Sequence, residues 1–306
     1  KGRQGNGQSS GRFRKMLVIV QFSISIALII STFVVQDQLN FISKKRLGYD
    51  RENLCTLHQL GEIRKDYDLF KERLLSSPDI THVSGISDPL SYAGRSLSLE
   101  QWEGNPAERS IRLHYHLVDY DIIETLNVEM VEGRSFTRDF SDDSSMVFLI
   151  NQTAVERMGL KEPVGKTMTL GEDQGMIVGV YRDFNYNSLH HKIRPHALVL
   201  DKDATRGVFF RIKPGREKEA LAHAEKLWKR IERNHPFNYE FMDQQLDHMY
   251  RAEQRIGTLF GYFSVFAILI SCLGLLGLAS FMTQQRQKEI GIRKVMGSGV
   301  NRLIFL

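Results

Sequence analysis

The sequence predicts an α+β extracytoplasmic domain, made of split β-α-β halves with a β-rich subdomain inserted between them, carried on two transmembrane α-helices. Three observations predict it. Residues 16–36 and 257–285 contain no Asp, Glu, Lys or Arg, and runs of that length cover ~30 Å of hydrocarbon at ~1.5 Å per helical residue. Basic residues gather beside both runs. Between them lie about 220 residues whose apolar pattern switches between strand and helix periods.

Of the 306 residues, 42% are apolar and 25% charged, which excludes a disordered or collagen-like chain and a bundle wholly within the membrane. A first residue of Lys points to a piece of a longer protein. The leader, residues 1–15, carries Lys1, Arg3, Arg12, Arg14 and Lys15 without an acid, and its glycines and serines read as a flexible linker. From residue 286 onward, five Lys or Arg oppose Glu289 alone. Taking the leader's +5 and the tail's +4 from the net +5 leaves −4 for the middle. The positive-inside rule then puts both ends in the cytoplasm, and the basic excess belongs to membrane flanks, not to a nucleic-acid surface. Lys44, Lys45 and Arg46 form a smaller opposing cluster. The first apolar run exceeds the ~7–15 residues of a signal core and no A-x-A site follows, so it reads as an uncleaved anchor. Cys55 and Cys272 fall in the domain and mid-span, too far apart to bridge.

Taken in order, residues 16–36 are the first transmembrane helix, and Val35, Leu39 and Ile42 continue it outward as a stalk to about Lys45. The extracytoplasmic part is residues 37–256. Its first half, 47–92, holds a strand at 54–60, a helix at 65–76 and a strand at 80–87. The second half, 201–250, repeats that order at 207–212, 216–234 and 238–241, with Pro214-Gly215 as the turn before the helix. The insertion, 93–200, is β-rich: Ile111, Leu113, Tyr115 and Leu117 alternate with polar residues, and 146–150 and 176–180 are short apolar runs. Residues 244–255 form a second stalk into the second transmembrane helix, 257–283. Residues 284–299 form a short helix at the cytoplasmic surface, in which Ile292, Val295 and Met296 share a face among Arg286, Lys288, Arg293 and Lys294, with Gly297 and Gly299 as the stop. Residues 300–306 begin a third span.

Several apparent sites dissolve on inspection. Gly165-Lys166-Thr167 ends like a phosphate loop, but Leu160 stands where that motif needs Gly, and the segment lies outside the cell. His114 and His116 on one strand, with His190, His191 and His196 in a loop, lack the Cys/His or H-E-x-x-H pattern of zinc and read as surface histidines, so no metal is expected. Asp139, Asp142 and Asp143 lack calcium-loop spacing. With no G-x-S-x-G elbow either, no catalytic residue and no cofactor are expected.

The spans say more. Ser23, Ala27 and Ser31 recur in the first, and Gly257, Gly261, Ser264, Ala267, Ser271 and Gly274 in the second, a seam of small residues that lets helices pack closely in the lipid bilayer. Neither span carries a charge, so neither lines a polar pathway; they read as transmission rods.

The segment Arg286-Gln-Lys288-Glu289-Ile290-Gly291-Ile292-Arg293-Lys294-Val-Met-Gly297-Ser298 resembles the R-x-K-E-I-G-I-R-K-x-x-G-A motif of MacB/FtsX-type ABC transporter permeases, with Ser298 where Ala is common. Leu126 to Phe136, Ile150-Asn151-Gln152-Thr-Ala154, Pro163-Val-Gly165-Lys166 and Val178-Gly179-Val180-Tyr-Arg-Asp183-Phe184-Asn185 resemble further segments of that family. The resemblance implies a porter-like periplasmic subdomain carrying the β-rich insertion, matching the second repeat of a long two-repeat permease. It also implies a cytoplasmic ABC ATPase as partner, a second permease unit, an inner-membrane location, and ATPase coupling through Arg286, Lys288, Glu289, Gly291, Arg293, Lys294 and Gly297. The expected function is a non-enzymatic permease that converts ATP hydrolysis by its partner into movement of the outer domain, exporting or extracting substrate by mechanotransmission. A membrane sensor receptor with a ligand-binding domain between two spans is the rival, disfavoured by the helix break at Gly297-Ser298-Gly299. A metallohydrolase on the histidines is the third possibility.

Overall fold

A computed structural model describes residues 7–45, 47–90, 95–105, 109–138, 146–186, 189 and 191–296. The chain divides into two compact units: residues 45–249, and the two ends, 1–44 with 250–306. The end unit contributes helix α1 (Gly7–Lys44). The domain then runs β1 (Leu54–His58), α2 (Tyr67–Leu75), β2 (Ile80–Ile86), β3 (Arg95–Leu99), β4 (Gln101–Trp102), β5 (Ile111–Val118) and α3 (Ile122–Leu126). It continues through β6 (Met130–Gly133), β7 (Met146–Asn151), α4 (Gln152–Met158), β8 (Thr167–Leu170), β9 (Asp173–Tyr181), β10 (His196–Leu200), β11 (Gly207–Ile212), α5 (Glu217–Ile231), β12 (Tyr239–Phe241) and α6 (Met242–Met249). Helices α7 (Arg251–Gln285) and α8 (Gln287–Val295) return to the end unit.

Strand β1 pairs antiparallel with β12 on one side and β11 on the other, and β11 pairs antiparallel with β2. The spatial order β12-β1-β11-β2 with α2 and α5 as connections is the split β-α-β arrangement read from the sequence. Its reason is visible in β11. Val208, Phe210 and Ile212 point to one face, where Phe70 and Leu74 of α2 and Ala220, Ala224, Leu227 and Trp228 of α5 close over them. Phe209 points to the other and joins Leu54, Ile86 and the α3 residues Ile122, Ile123 and Leu126. A period of two on a sheet covered on both sides gives an almost unbroken apolar run.

The insertion leaves after β2 and returns before β11. Within it β5 and β10 are parallel, as are β7 and β9, while β10–β7 and β9–β8 are antiparallel. Strands β3 and β6 pair with β5 and β9. A single ladder pair, Ile86 with Val118, joins this lobe to the first, so the described strands form one continuous sheet.

A buried charge reinforces that joint. The Lys71 side chain of α2 is only 7% exposed; its ammonium donates to Asp119 at 2.7 Å and to Asp121, both just beyond β5. The Tyr67 hydroxyl donates to the same Asp119 oxygen as Lys71, and Ser84 of β2 donates to the other at 2.6 Å. Each charge therefore meets a partner, which is the condition for burying it. A second satisfied carboxylate lies at the end of α5, where Glu232 accepts backbone N–H groups of Glu62 at 2.6 Å, Asn234 at 2.7 Å and His235 at 3.0 Å. These donors, Glu62 first, hold its carboxyl down at about 2.

Four differences from the sequence reading have physical causes. The leader is helical from Gly7, because elongating an existing helix adds a hydrogen bond per residue without a new nucleus. Helix α2 begins at Tyr67 and not at residue 65, since residues 61–66 form a tighter 3-10 turn that starts from Gly61 at φ +52°, pressed against Glu232. The second stalk is not one helix from residue 244: α6 ends at Met249, and Tyr250, at φ −107° and ψ 10°, precedes α7. His114, His116 and His196 are not surface histidines but are buried, because β5 and β10 lie inside the sheet with both faces covered. Residues 1–6, Asp139, Asp142, Asp143, His190 and residues 297–306, including the Gly297 stop and the third-span start, lie outside the described residues.

Two substitutions test the joint and the cap. Lys71→Ala leaves a buried carboxylate uncompensated and is expected to cost ~3–5 kcal/mol in urea unfolding. For Glu232, the folded-state value lies below the ordinary 4.5, so its contribution is complete above pH 4.5 and is lost as pH falls toward about 2. Glu232→Gln is therefore expected to be less stable than wild type at pH 7, with the difference shrinking between pH 4.5 and 2.

Candidate functional site

Among the described residues, no group of three or more His, Cys, Asp or Glu is placed to hold a metal ion. The distinctive chemistry lies elsewhere, in the helices at the chain's ends. Apolar stretches Met16–Ile42 and Arg251–Gln284 each reach a mean hydropathy of 2.4, and both are long enough to cross a bilayer.

Helices α1 and α7 pack side by side through a polar seam. The Thr32 and Ser264 hydroxyls lie 2.8 Å apart, and those of Ser25 and Ser271 are likewise 2.8 Å apart. Ser25 also donates to the Ala267 carbonyl at 3.3 Å. Glycines let the backbones approach: a Cβ on Gly257 would lie 3.1 Å from Val35 and 3.4 Å from Leu39, and one on Gly274 would lie 3.0 Å from Gln21. With the hydrophobic effect absent in lipid, such close contacts and interhelical hydrogen bonds supply the association.

The two helices treat the sequence-predicted residues differently. Gly257, Ser264, Ala267, Ser271 and Gly274 of α7 lie on the shared face, whereas a Cβ on Gly261 would meet open space. On α1 the face is formed by Gln21, Ser25, Leu28, Thr32, Val35 and Leu39, each at least partly covered. Ser23 and Ala27 are exposed and Ser31 is half-buried; Ser23 bonds only the Ile19 carbonyl of its own helix, at 3.0 Å. The cause is geometric. A strict four-residue repeat drifts around a 3.6-residue helix by ~40° per step, while steps alternating four and three keep one face. That alternation runs from Gln21 to Leu39 and is the signal that finds the α1 face.

Helix α8 follows α7 after Arg286, which leaves helical geometry at φ −97° and ψ 9°. Arg286 and Lys288 are exposed, as are Ile292, Val295 and Met296, the last two at 89% and 82%. Gly291 sits mid-helix with space for a side chain. Glu289, Arg293 and Lys294 lie in the helix, their side chains outside the described set. A short helix offering guanidinium, ammonium and apolar groups together fits a groove on a partner protein or a lipid headgroup layer.

The remaining motif segments meet in the domain. Asn151 caps α4 by accepting the Ala154 N–H at 2.9 Å, accepts the His196 N–H at 2.9 Å and donates to the Arg194 carbonyl at 2.9 Å. Asp183 accepts the Thr153 N–H at 3.0 Å and its hydroxyl at 2.6 Å. Gly133 crosses Gly179 so closely that a Cβ on Gly133 would fall 2.3 Å from the Val178 carbonyl. Gly165, at φ +88°, turns the chain before β8 and donates its N–H to the Ile177 carbonyl at 2.8 Å.

The family described as the MacB-like periplasmic core domain matches residues 17–224. No curated protein matches the chain. Among solved structures, the periplasmic region of MacB from Actinobacillus actinomycetemcomitans is similar at 14% identity, with 68% of this chain and 97% of that one covered and a TM-score of 0.46. The extracellular domain of the noncanonic ABC-type transporter YknZ from Gram-positive bacteria is similar at 13% identity, covering 61% of this chain and 97% of that one, with a TM-score of 0.42.

A double-mutant cycle tests the seam. Ser25→Ala and Ser271→Ala are expected to show a coupling of ~0.6 kcal/mol, the average for interhelical hydrogen bonds in membranes, read from unfolding in mixed micelles; Ser23→Ala paired with Ser271→Ala should show none.

Proposed function

Because the chain belongs to the family of the MacB-like periplasmic core domain, we propose that it is permease material of an ABC transporter, which relays ATP hydrolysis in a cytoplasmic partner to its outer domain. One observation carries the reading: an α+β domain of this family is flanked in sequence by two apolar helices, and the second leads within two residues into the exposed basic helix α8. The charge distribution supports an inner-membrane protein with residues 37–256 outside and α8 inside.

In this mechanism α8 and the residues flanking it in sequence dock on the ATPase through Arg286, Lys288, Glu289, Gly291, Arg293, Lys294 and Gly297. Closure of the ATPases moves α8, the paired spans tilt or slide, and the outer domain follows. The chain supplies no chemistry of its own; substrate is moved outside the membrane or drawn from its outer leaflet. The exposed α1 residues Ser23 and Ala27 lie off the described seam and suit contact with a second permease unit.

Gly291 provides a clean test. An added Cβ clashes with nothing around it, and Ala in a helix interior is favoured over Gly by ~1 kcal/mol. Gly291→Leu, like Glu289→Ala, is expected to leave folding intact and to abolish substrate-stimulated ATP turnover by the co-purified ATPase. Unchanged turnover in both variants sinks the assignment. Cysteine labelling in intact spheroplasts is expected to reach a probe near Glu103 and to spare one at Lys294.

A further inference from the structure

Three ring side chains in the β-rich lobe form an enclosed hydrogen-bonded line that the proposed relay does not use. Tyr181, ending β9, places its hydroxyl 2.5 Å from Nδ1 of His196 on β10, and Nε2 of His196 lies 2.8 Å from Nδ1 of His116 on β5. Both imidazoles are fully buried. Tyr186 stacks on His196 with ring centroids 4.4 Å apart, and Phe184 lies edge-on to both. With both rings neutral, one proton satisfies each contact along the line, as when Tyr181 donates to His196 and His196 to His116. One added proton is a charge in an apolar enclosure; two set N–H donors against each other.

The surroundings do not neutralise such a charge. Facing the pair are His114 on β5, Asp88 and the Pro89 carbonyl beyond β2, Arg95 on β3, Tyr181 on β9 and Tyr186 after it, while Asp183 acts on the two tyrosines and Arg194 on Tyr186. Asp88 is engaged by Arg95 at 3.4 Å and by Ser87 at 2.8 Å, and Asp183 by Thr153. Desolvation therefore dominates, holding His116 down at about 4 and His196 well below its ordinary range.

The strap of residues 182–186, which supplies Phe184 and Tyr186, also clamps the start of the domain. Asn185 donates its N–H to the Leu47 carbonyl at 2.6 Å, and Tyr49 meets Phe184 edge-on at 5.8 Å. Gly48, at φ +91°, lies so close that a Cβ would fall 2.7 Å from the Asp183 carbonyl and 2.8 Å from Phe184 Cα.

We propose that the Tyr181–His196–His116 line is a proton-operated latch: at neutral pH it holds the strap over residues 47–49, where the chain enters the domain from its first apolar helix, and acidification of the extracytoplasmic space, where the proposed function puts the domain, releases it. Both histidines titrate lower when enclosed than when free, so closure is fully favoured above pH 6.5 and loses that advantage as pH falls, for His116 toward about 4. Between pH 7.5 and 5.5 the opening constant rises ~10-fold per histidine and ~100-fold for the pair.

Hydrogen–deuterium exchange of the full chain in lipid nanodiscs tests this, with rates corrected for intrinsic exchange at each pH. Protection of residues 182–186 and β10 is expected to fall ~100-fold from pH 7.5 to 5.5, while α2 and α5 hold. No fall, or an equal fall in α2 and α5, overturns the latch. In His116→Gln one titrating ring remains and the fall should shrink to ~10-fold; an undiminished fall overturns it. Exchange at the histidine C2 position needs no substitution: midpoints for His116 and His196 well below 6.5 support the latch, and midpoints near 6.5 overturn it.

Discussion

The buried ammonium of Lys71 is the interaction on which the domain's architecture turns. The β-rich lobe departs after β2 and rejoins before β11; its ladder pair with the first sheet is Ile86 with Val118, to which α3 packing under Phe209 and the Arg211 bonds to the Thr125 carbonyl are added. So short a ladder leaves much of the fixing to side chains. Lys71 on α2, Ser84 on β2 and Asp119 beyond β5 add a directional contact between helix, first sheet and insertion, buried where its electrostatics are least screened. A hydrophobic trio there would pack as well but would specify no register, which is the use most often attested for buried ionic groups.

Much of this was legible in the sequence. Both apolar helices, the repeated strand–helix–strand order and the β-rich middle follow from period and turn chemistry, and strand 207–212 matches residue for residue. Where the reading slipped, long-range packing decided. Nothing local says that His116 lies between covered faces, because alternation of polar and apolar residues looks the same on a half-exposed strand and on an enclosed one whose polar positions bond each other. Likewise Gly61 shortens α2 through Glu232, 171 positions away in the chain.

The span seam was half legible for a different reason. On α7 the small residues stand at alternating steps and their type betrays the face. On α1 the face is carried by Gln21, Ser25, Leu28, Thr32, Val35 and Leu39, only two of them small hydroxyls, while Ser23 and Ala27 form a second small-residue row two positions away. Size alone chooses the wrong row; polarity together with the heptad step chooses the right one. The α8 motif gives the opposite lesson, since its sequence is distinctive while its geometry is only that of a short exposed helix.

The seam's hydroxyls have one property beyond adhesion. Ser25 also donates to the Gln21 carbonyl at 2.9 Å, and Thr32 to the Leu28 carbonyl at 2.9 Å, each within its own helix. If the partner helix slides away, neither proton is stranded in oil, because a fallback acceptor is already in place. The adhesion is therefore reversible on the α1 side: parting the helices costs the hydroxyl–hydroxyl contacts themselves and orphans no α1 donor.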